Sequence, residues 1–272
     1  MIKVAFQGER GAYSEVAVIQ RWGDKAEPVP RPSLEDVFDS VEGEAADAGL
    51  VPVENTIEGS IARTYDLLDE RSLTIQGETV YRVVHCLISS PGVGPKDIKR
   101  VYSHPQALGQ ARAYLAAHGF EPVSYYDTAG AVKMIKEQGM RDAAAVASRR
   151  AAEIYGMTVL VEGIETSAEN YTRFLHIGRG SPSPTGRDKT SLSFTIENRP
   201  GALVEALRPL ADRDLNVMKL ESRPLQGHPW QYVFFADFGG HKEEPKTAEA
   251  LRGLATHSTS LKILGSYPRA ED

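Results

Sequence analysis

Thr172, Arg173 and Phe174 place a hydroxyl, a guanidinium and an aromatic ring side by side. The stretch Asn170 to Ile177 reads as a short strand, so Thr172 and Phe174 share one face and Arg173 points to the other. A threonine hydroxyl is a poor acid at neutral pH. It can, however, donate a hydrogen bond to a ligand oxygen. Arg173 is either a carboxylate clamp or a structural partner of an acidic residue. Asn55 and Gln106 are neutral donors suited to a hydroxyl or a carboxylate. Glu54 and Glu58 would repel an anionic ligand and are read as supporting residues.

These residues need a scaffold, and the pattern is that of an α/β body. A strand at Lys3 to Phe6 runs into the Gly-bearing turn Gln7 to Ala12 and a helix from Tyr13. Asp47 to Val53 is apolar on both faces near its end, as in a buried parallel strand. Polar residues Asn55, Thr56 and Ser60 crowd its carboxyl end, where ligands of open α/β sheets bind. Leu73 to Ser89 is too long for one strand and reads as two, with His85 as a satisfied core histidine. A second unit follows: a strand at Arg100 to Ser103, a helix from Pro105 to about His118, a strand at Glu121 to Tyr126 and a helix capped by Asp127. The order implies two lobes, with crossovers near 75–85 and 165–175 and a cleft between them. The helix starts at Ser14, Ser60, Gln106 and Thr128 can hold carboxylates without a net positive charge.

Past a Gly/Ser/Pro-rich linker at 179–189 the pattern changes. Residues 190–272 read as β-α-β-β-α-β, the ferredoxin-like split motif. Gly201 sits at a strand-to-helix turn where a ligand can approach the backbone.

Composition narrows the function classes. The 272 residues carry a net charge of −6, and neither part is basic: residues 190–272 hold ten Lys and Arg against eleven Asp and Glu. That argues against a nucleic-acid partner. No run approaches a membrane span, no secretory pattern opens the chain, and the single Cys86 excludes an internal disulfide and a cysteine-only metal site. The expectation is a cytoplasmic protein with no metal and no cofactor.

Six stretches in order resemble the prephenate dehydratase family. They are Phe6-Gln7-Gly8 with Gly11 to Glu15, Pro52 to Ser60, Ser103 to Leu108, Thr172 to Phe174, Gly201 to Leu203, and Glu221 to Pro224. The resemblance implies residues 1–178 as a two-lobed catalytic domain, like type II periplasmic binding proteins, and residues 190–272 as an ACT regulatory domain. It implies Thr172 as the catalytic residue, with Ser14, Asn55, Thr56, Ser60, Ser103, Gln106, Arg173 and Phe174 at the substrate. It implies L-phenylalanine bound by Asn198, Gly201, Ala202, Leu203, Glu221, Ser222, Arg223 and Pro224, and ACT pairing into a homodimer or homotetramer. Two departures stand out. Ala12 occupies a place where many bacterial members have Thr, and Thr56 replaces the usual Ser. The Gly-Ala-Tyr-Ser-Glu form also occurs in plant arogenate dehydratases. The implied reaction is decarboxylating dehydration of prephenate to phenylpyruvate under phenylalanine control. The alternatives are arogenate dehydration, or a two-lobed protein that binds a small acid without turning it over.

Overall fold

The computed structural model describes residues 1–225 and 227–270. The chain divides into two compact units. The first comprises Met1–Ile61 and Thr79–Phe174, and the second takes Ala62–Glu78 and the chain from Leu175 onward.

The first unit opens with β1 (Ile2–Gln7), α1 (Tyr13–Trp22), β2 (Ala26–Arg31), α2 (Leu34–Glu42) and β3 (Ala48–Asn55). β1 lies parallel to both β2 and β3, and its Val4, Ala5 and Phe6 are fully buried, as helix-covered parallel strands require. Ser33 and Asp36 form a reciprocal capping box that fixes the start of α2. The short β4 (Gly59–Ser60) folds back on β3, setting Ser60 opposite Glu54 and Gly59 opposite Asn55.

Next come α3 (Ala62–Glu70), which belongs to the second unit, and β5 (Thr74–Arg82), along which the chain passes from the second unit to the first. β6 (Cys86–Ser89), β7 (Arg100–Ser103), α4 (Pro105–Gln110), α5 (Arg112–Ala117), β8 (Glu121–Ser124), α6 (Thr128–Glu137), β9 (Ala143–Ala147), α7 (Arg149–Tyr155) and β10 (Thr158–Glu162) build the second lobe of the first unit. Their strands order as β10-β6-β9-β7-β8. The single helix expected from Pro105 to His118 is two, broken at Ala111, with Gly109 lowering helix propensity just before the break. β11 (Tyr171–Gly178) then returns to the first sheet, whose order is β2-β1-β3-β11-β5. Phe6, Leu50, Cys86, Val132, Ile135 and Phe174 share one apolar core that spans both lobes.

In the second unit, β12 (Asp188–Thr195), α8 (Ala202–Ala211), β13 (Val217–Pro224), β14 (Tyr232–Gly239), α9 (Pro245–Thr256) and β15 (Ser260–Pro268) follow the expected β-α-β-β-α-β order. The sheet is antiparallel and ordered β13-β14-β12-β15, the ferredoxin-like arrangement. Leu192, Phe194 and Phe238 pack with Leu210 of α8 and Leu254 of α9.

This sheet also takes α3, which the linker-based division at 178 assigns to the catalytic part. Arg223 holds Asp66 with two hydrogen bonds, at 2.9 and 3.1 Å. The Tyr65 ring lies 5.1 Å from that of Phe235, and Lys262 Nζ donates to the carbonyls of Leu68 and Arg71 at the helix's carboxyl end. Charge pairing and ring packing therefore group α3 with the sheet rather than with the strands that precede it in sequence.

At the end of this unit's share of β5, Glu78 accepts two hydrogen bonds from Lys189 Nζ, at 2.8 and 2.9 Å. Their side chains are 2% and 10% exposed, so the pair is buried. Removing the ammonium would leave a desolvated carboxylate. Lys189→Met should cost about 3–5 kcal/mol of unfolding free energy by urea titration. A loss under about 1 kcal/mol would show that the pair behaves like a surface one.

Candidate active site

A cavity of about 600 Å³ opens in the first unit beside the ends of β1 and β3, the start of β11, and the first turns of α4 and α6. Ser14, Asn55, Gln106, Thr172 and Phe174 line it, as does Thr128.

Its organising feature is a chain of hydrogen bonds. Asn55 Nδ2 donates to Thr172 Oγ1 at 3.0 Å, to Asn170 Oδ1 at 2.9 Å and to the Tyr171 carbonyl at 3.1 Å. Asn55 Oδ1 accepts from the N–H groups of Ile57 and Glu58 at 2.9 and 3.1 Å. The amide is thus consumed on both sides by protein, and Asn55 positions Thr172 rather than offering its own donors to a ligand. Because Thr172 Oγ1 accepts from Asn55, its O–H remains to be donated into the cavity.

The chain continues through Asn170, which is fully buried and donates to Gln110 Oε1 at 2.8 Å. Gln110 Oε1 also meets His85 Nε2 at 2.7 Å. An amide oxygen only accepts, so His85 carries its proton on Nε2, and Nδ1 accepts from Tyr13 Oη at 2.6 Å. With its oxygen doubly engaged, Gln110 is left with its NH₂ for the cavity it lines. Burial pushes the Tyr13 hydroxyl well above its usual pKa, with Cys86, Tyr81 and Glu165 adding to the effect, so it stays a donor. Burial lowers the pKa of His85, against opposing pulls from Gln110 and Glu165.

Across the cavity, Glu9 accepts from Tyr126 Oη at 2.9 Å and pairs with Lys133 at 3.2 Å. Asp127 caps α6 through Oδ1, which accepts from the Gly130 N–H at 2.6 Å. Arg31 also lines the cavity, anchored to Ser40 Oγ and the Pro30 carbonyl.

Four residues expected at the substrate are placed elsewhere. Ser103 is fully buried and donates to the Val146 carbonyl at 2.6 Å, tying β7 to β9. Thr56 Oγ1 donates to the Glu169 carbonyl and accepts from the Tyr171 N–H, stitching the end of β3 to β11. Ser60 lies in β4, paired with Glu54 and outside the cavity wall. Arg173 points away from Thr172, as strand alternation demands, and its guanidinium lies 3.7 Å from Glu54. Tyr13, Arg31, His85, Gln110, Asp127 and Asn170 had not been assigned to the site. Gln110 was findable, because it stands four residues after Gln106 on a helix and shares its face. His85 is the buried, satisfied histidine that was expected, yet it also forms part of the cavity wall. Among the described residues no group of three or more His, Cys, Asp or Glu could hold a metal.

In the second unit, Asn198, Gly201 and Leu203 line a hollow of about 160 Å³ with Val204, Trp230 and Tyr232. Gly201, at φ +86°, is the residue before α8 and adopts a backbone that a side chain would strain. Ala202 is buried and, like Glu221 to Pro224 of β13, is not among the residues lining the hollow, although Ser222 and Pro224 pair with Phe234 and Tyr232 of its wall. There Arg223 is engaged with Asp66, and Glu221 lies 3.2 Å from Lys219.

The prephenate dehydratase family model matches residues 4–182, and the ACT domain model matches residues 190–256. The chain belongs to the prephenate dehydratase family. It is 41% identical to arogenate dehydratase/prephenate dehydratase 2 of Arabidopsis thaliana, over 98% of this chain and 73% of that protein. It is 40% identical to the bifunctional chorismate mutase/prephenate dehydratase of Aquifex aeolicus, over 99% and 74%. Prephenate dehydratase from Arthrobacter aurescens, solved in complex with L-Phe, superposes with a TM-score of 0.91 at 33% identity, over 99% of this chain and 90% of that one. A structure described as GqqA, a novel type of quorum quenching acylase, superposes at 0.92 with 36% identity, over 98% of both chains. No helix among the described residues is long and apolar enough to cross a membrane.

The His85 assignment has a pH consequence. A histidine whose folded pKa lies below its unfolded value of about 6.5 binds fewer protons in the native state. Its contribution to stability is therefore lost as pH falls below that value. Nitrogen-detected NMR at pH 6.5 should find His85 neutral, with the proton on Nε2. An imidazolium at that pH, or the Nδ1–H tautomer, would contradict the assignment.

Proposed function

We propose that this chain catalyses the decarboxylating dehydration of prephenate to phenylpyruvate, with arogenate, its amino analogue, as the alternative substrate. The Asn55–Thr172 hydrogen bond carries the proposal. Prephenate is a cyclohexadiene with a carboxylate at C1 and a hydroxyl at C4. As the bond from C1 to its carboxylate breaks, the electron pair moves through the ring and expels the C4 oxygen. Carbon dioxide and water leave, and one proton is taken up from solvent. Aromatisation drives the reaction, so the barrier lies in the departure of hydroxide. Thr172, its oxygen held by Asn55, directs its O–H toward that departing oxygen, where charge develops. Gln110, locked by Asn170 and His85, offers its NH₂ to a substrate hydroxyl or carboxylate. The cavity faces the start of α1, whose N–H groups with Arg31 offset part of the charge of the substrate carboxylates.

The second unit is proposed as the sensor of L-phenylalanine, bound in the hollow at Asn198, Gly201 and Leu203 and inhibiting turnover by favouring a less competent state. Two copies would pair through these units, giving a dimer or dimer of dimers in the cytoplasm.

A turnover assay with prephenate and with arogenate, each with and without L-phenylalanine, tests the reading. Phenylpyruvate formed from prephenate and suppressed by phenylalanine is the expected result. No product from either substrate would favour a binding protein. In the same assay Thr172→Ala should lose about 10²–10³ in kcat with the fold intact, and Thr172→Ser should restore most of it. Near wild-type turnover by folded Thr172→Ala would remove Thr172 from the chemistry.

A further inference from the structure

The cavity is poorly matched in charge to a dianion. Among the described residues its wall carries three carboxylates, Glu9, Glu58 and Asp127, against one guanidinium, Arg31. Glu9 is balanced by Lys133, and Arg31 is held by Ser40 and Pro30. Asp127 differs from both. One of its oxygens caps α6, and the other lies close to Gly8, which also lines the cavity. A Cβ at Gly8 would lie 3.1 Å from Asp127 Oδ2, so the missing side chain is what keeps the space beside that oxygen open.

We propose that Asp127 is the specificity-determining residue of the cavity, reading a protonated amine on the substrate side chain and so admitting the amino-acid form, arogenate, in preference to the keto acid. The inference rests on the dehydratase reading above and goes further by naming which substrate the site selects.

The placement supports it. Gly8 and Asp127 line the same cavity as Thr172, Asn55 and Gln110, so a molecule held at Thr172 shares that cavity with the Asp127 carboxylate.

The chemistry agrees. Burial holds the Asp127 carboxyl above the usual carboxylate range and Glu9 adds to this, while the Gly130 and Ala129 N–H groups and His104 pull it down. A desolvated carboxylate gains from a cation placed beside it. The keto oxygen of prephenate offers Asp127 an acceptor where it needs a donor, and an unmatched polar pair in a buried site is a strong discriminator.

The test compares kcat/KM for arogenate and prephenate in the full chain and in Asp127→Asn, which keeps an oxygen to cap α6 while removing the charge. The ratio of arogenate to prephenate should fall by about tenfold or more, with the loss appearing in KM for arogenate. Asp127→Ser, which also keeps a capping oxygen, should shift the ratio the same way and serves if the first variant does not fold. An unchanged ratio, or parallel losses on both substrates, would overturn the inference and leave the dehydratase reading standing. A wild-type protein that turns over neither substrate would remove both.

Discussion

The site depends on one amide. Asn55 uses its oxygen to hold the turn that follows β3 and its nitrogen to hold Thr172 and Asn170. That double engagement occupies one acceptor position of the Thr172 oxygen and leaves its O–H to be donated, with Thr172 in the cavity wall. The rest of the network extends the same logic: Asn170 and His85 occupy the oxygen of Gln110, and Tyr13 fixes the tautomer of His85. Each member is neutral, so the arrangement can present hydrogen-bond donors to a ligand without a charged acid that would need its own counterion.

The fold supplies this geometry at a place where strands end. β3 contributes Asn55 at its carboxyl end, and β11 returns from the second lobe to lay Asn170 and Thr172 beside it. Thr56 and Ser60 serve that junction, one bonding β3 to β11 and the other closing β4 on β3. Their hydroxyls shape the wall instead of entering the cavity. In the second unit, Arg223 belongs to a stretch whose resemblance implies ligand binding, yet its guanidinium holds Asp66 of α3. That helix follows β4 in sequence and belongs to the second unit.

Much of this was legible in the sequence, for identifiable reasons. The β-α-β-β-α-β order of the second unit shows in periodicity alone, because its strands alternate and its helices are amphipathic. Strand alternation separates Thr172 and Phe174 from Arg173, and the structure keeps that separation. Ser103 shows where such reasoning stops. It belongs to a recognisable stretch, but its hydroxyl turns under the sheet to the Val146 carbonyl, and no local pattern reports which way a strand-end hydroxyl points. Asn170 and His85 were missed because the network that draws them in links residues 25 to 115 positions apart. The grouping of α3 with the second unit is equally non-local, resting on Arg223, Phe235 and Lys262.

A double-mutant cycle on kcat for prephenate, using Asn55→Ala and Thr172→Val, tests most directly whether Asn55 acts through Thr172. Each single change should cost about 10² or more, and the double variant should be little worse than the worse single, since both remove the same directed hydrogen bond. Losses that multiply, each residue contributing independently, would contradict the account and return Asn55 to a direct role at the substrate.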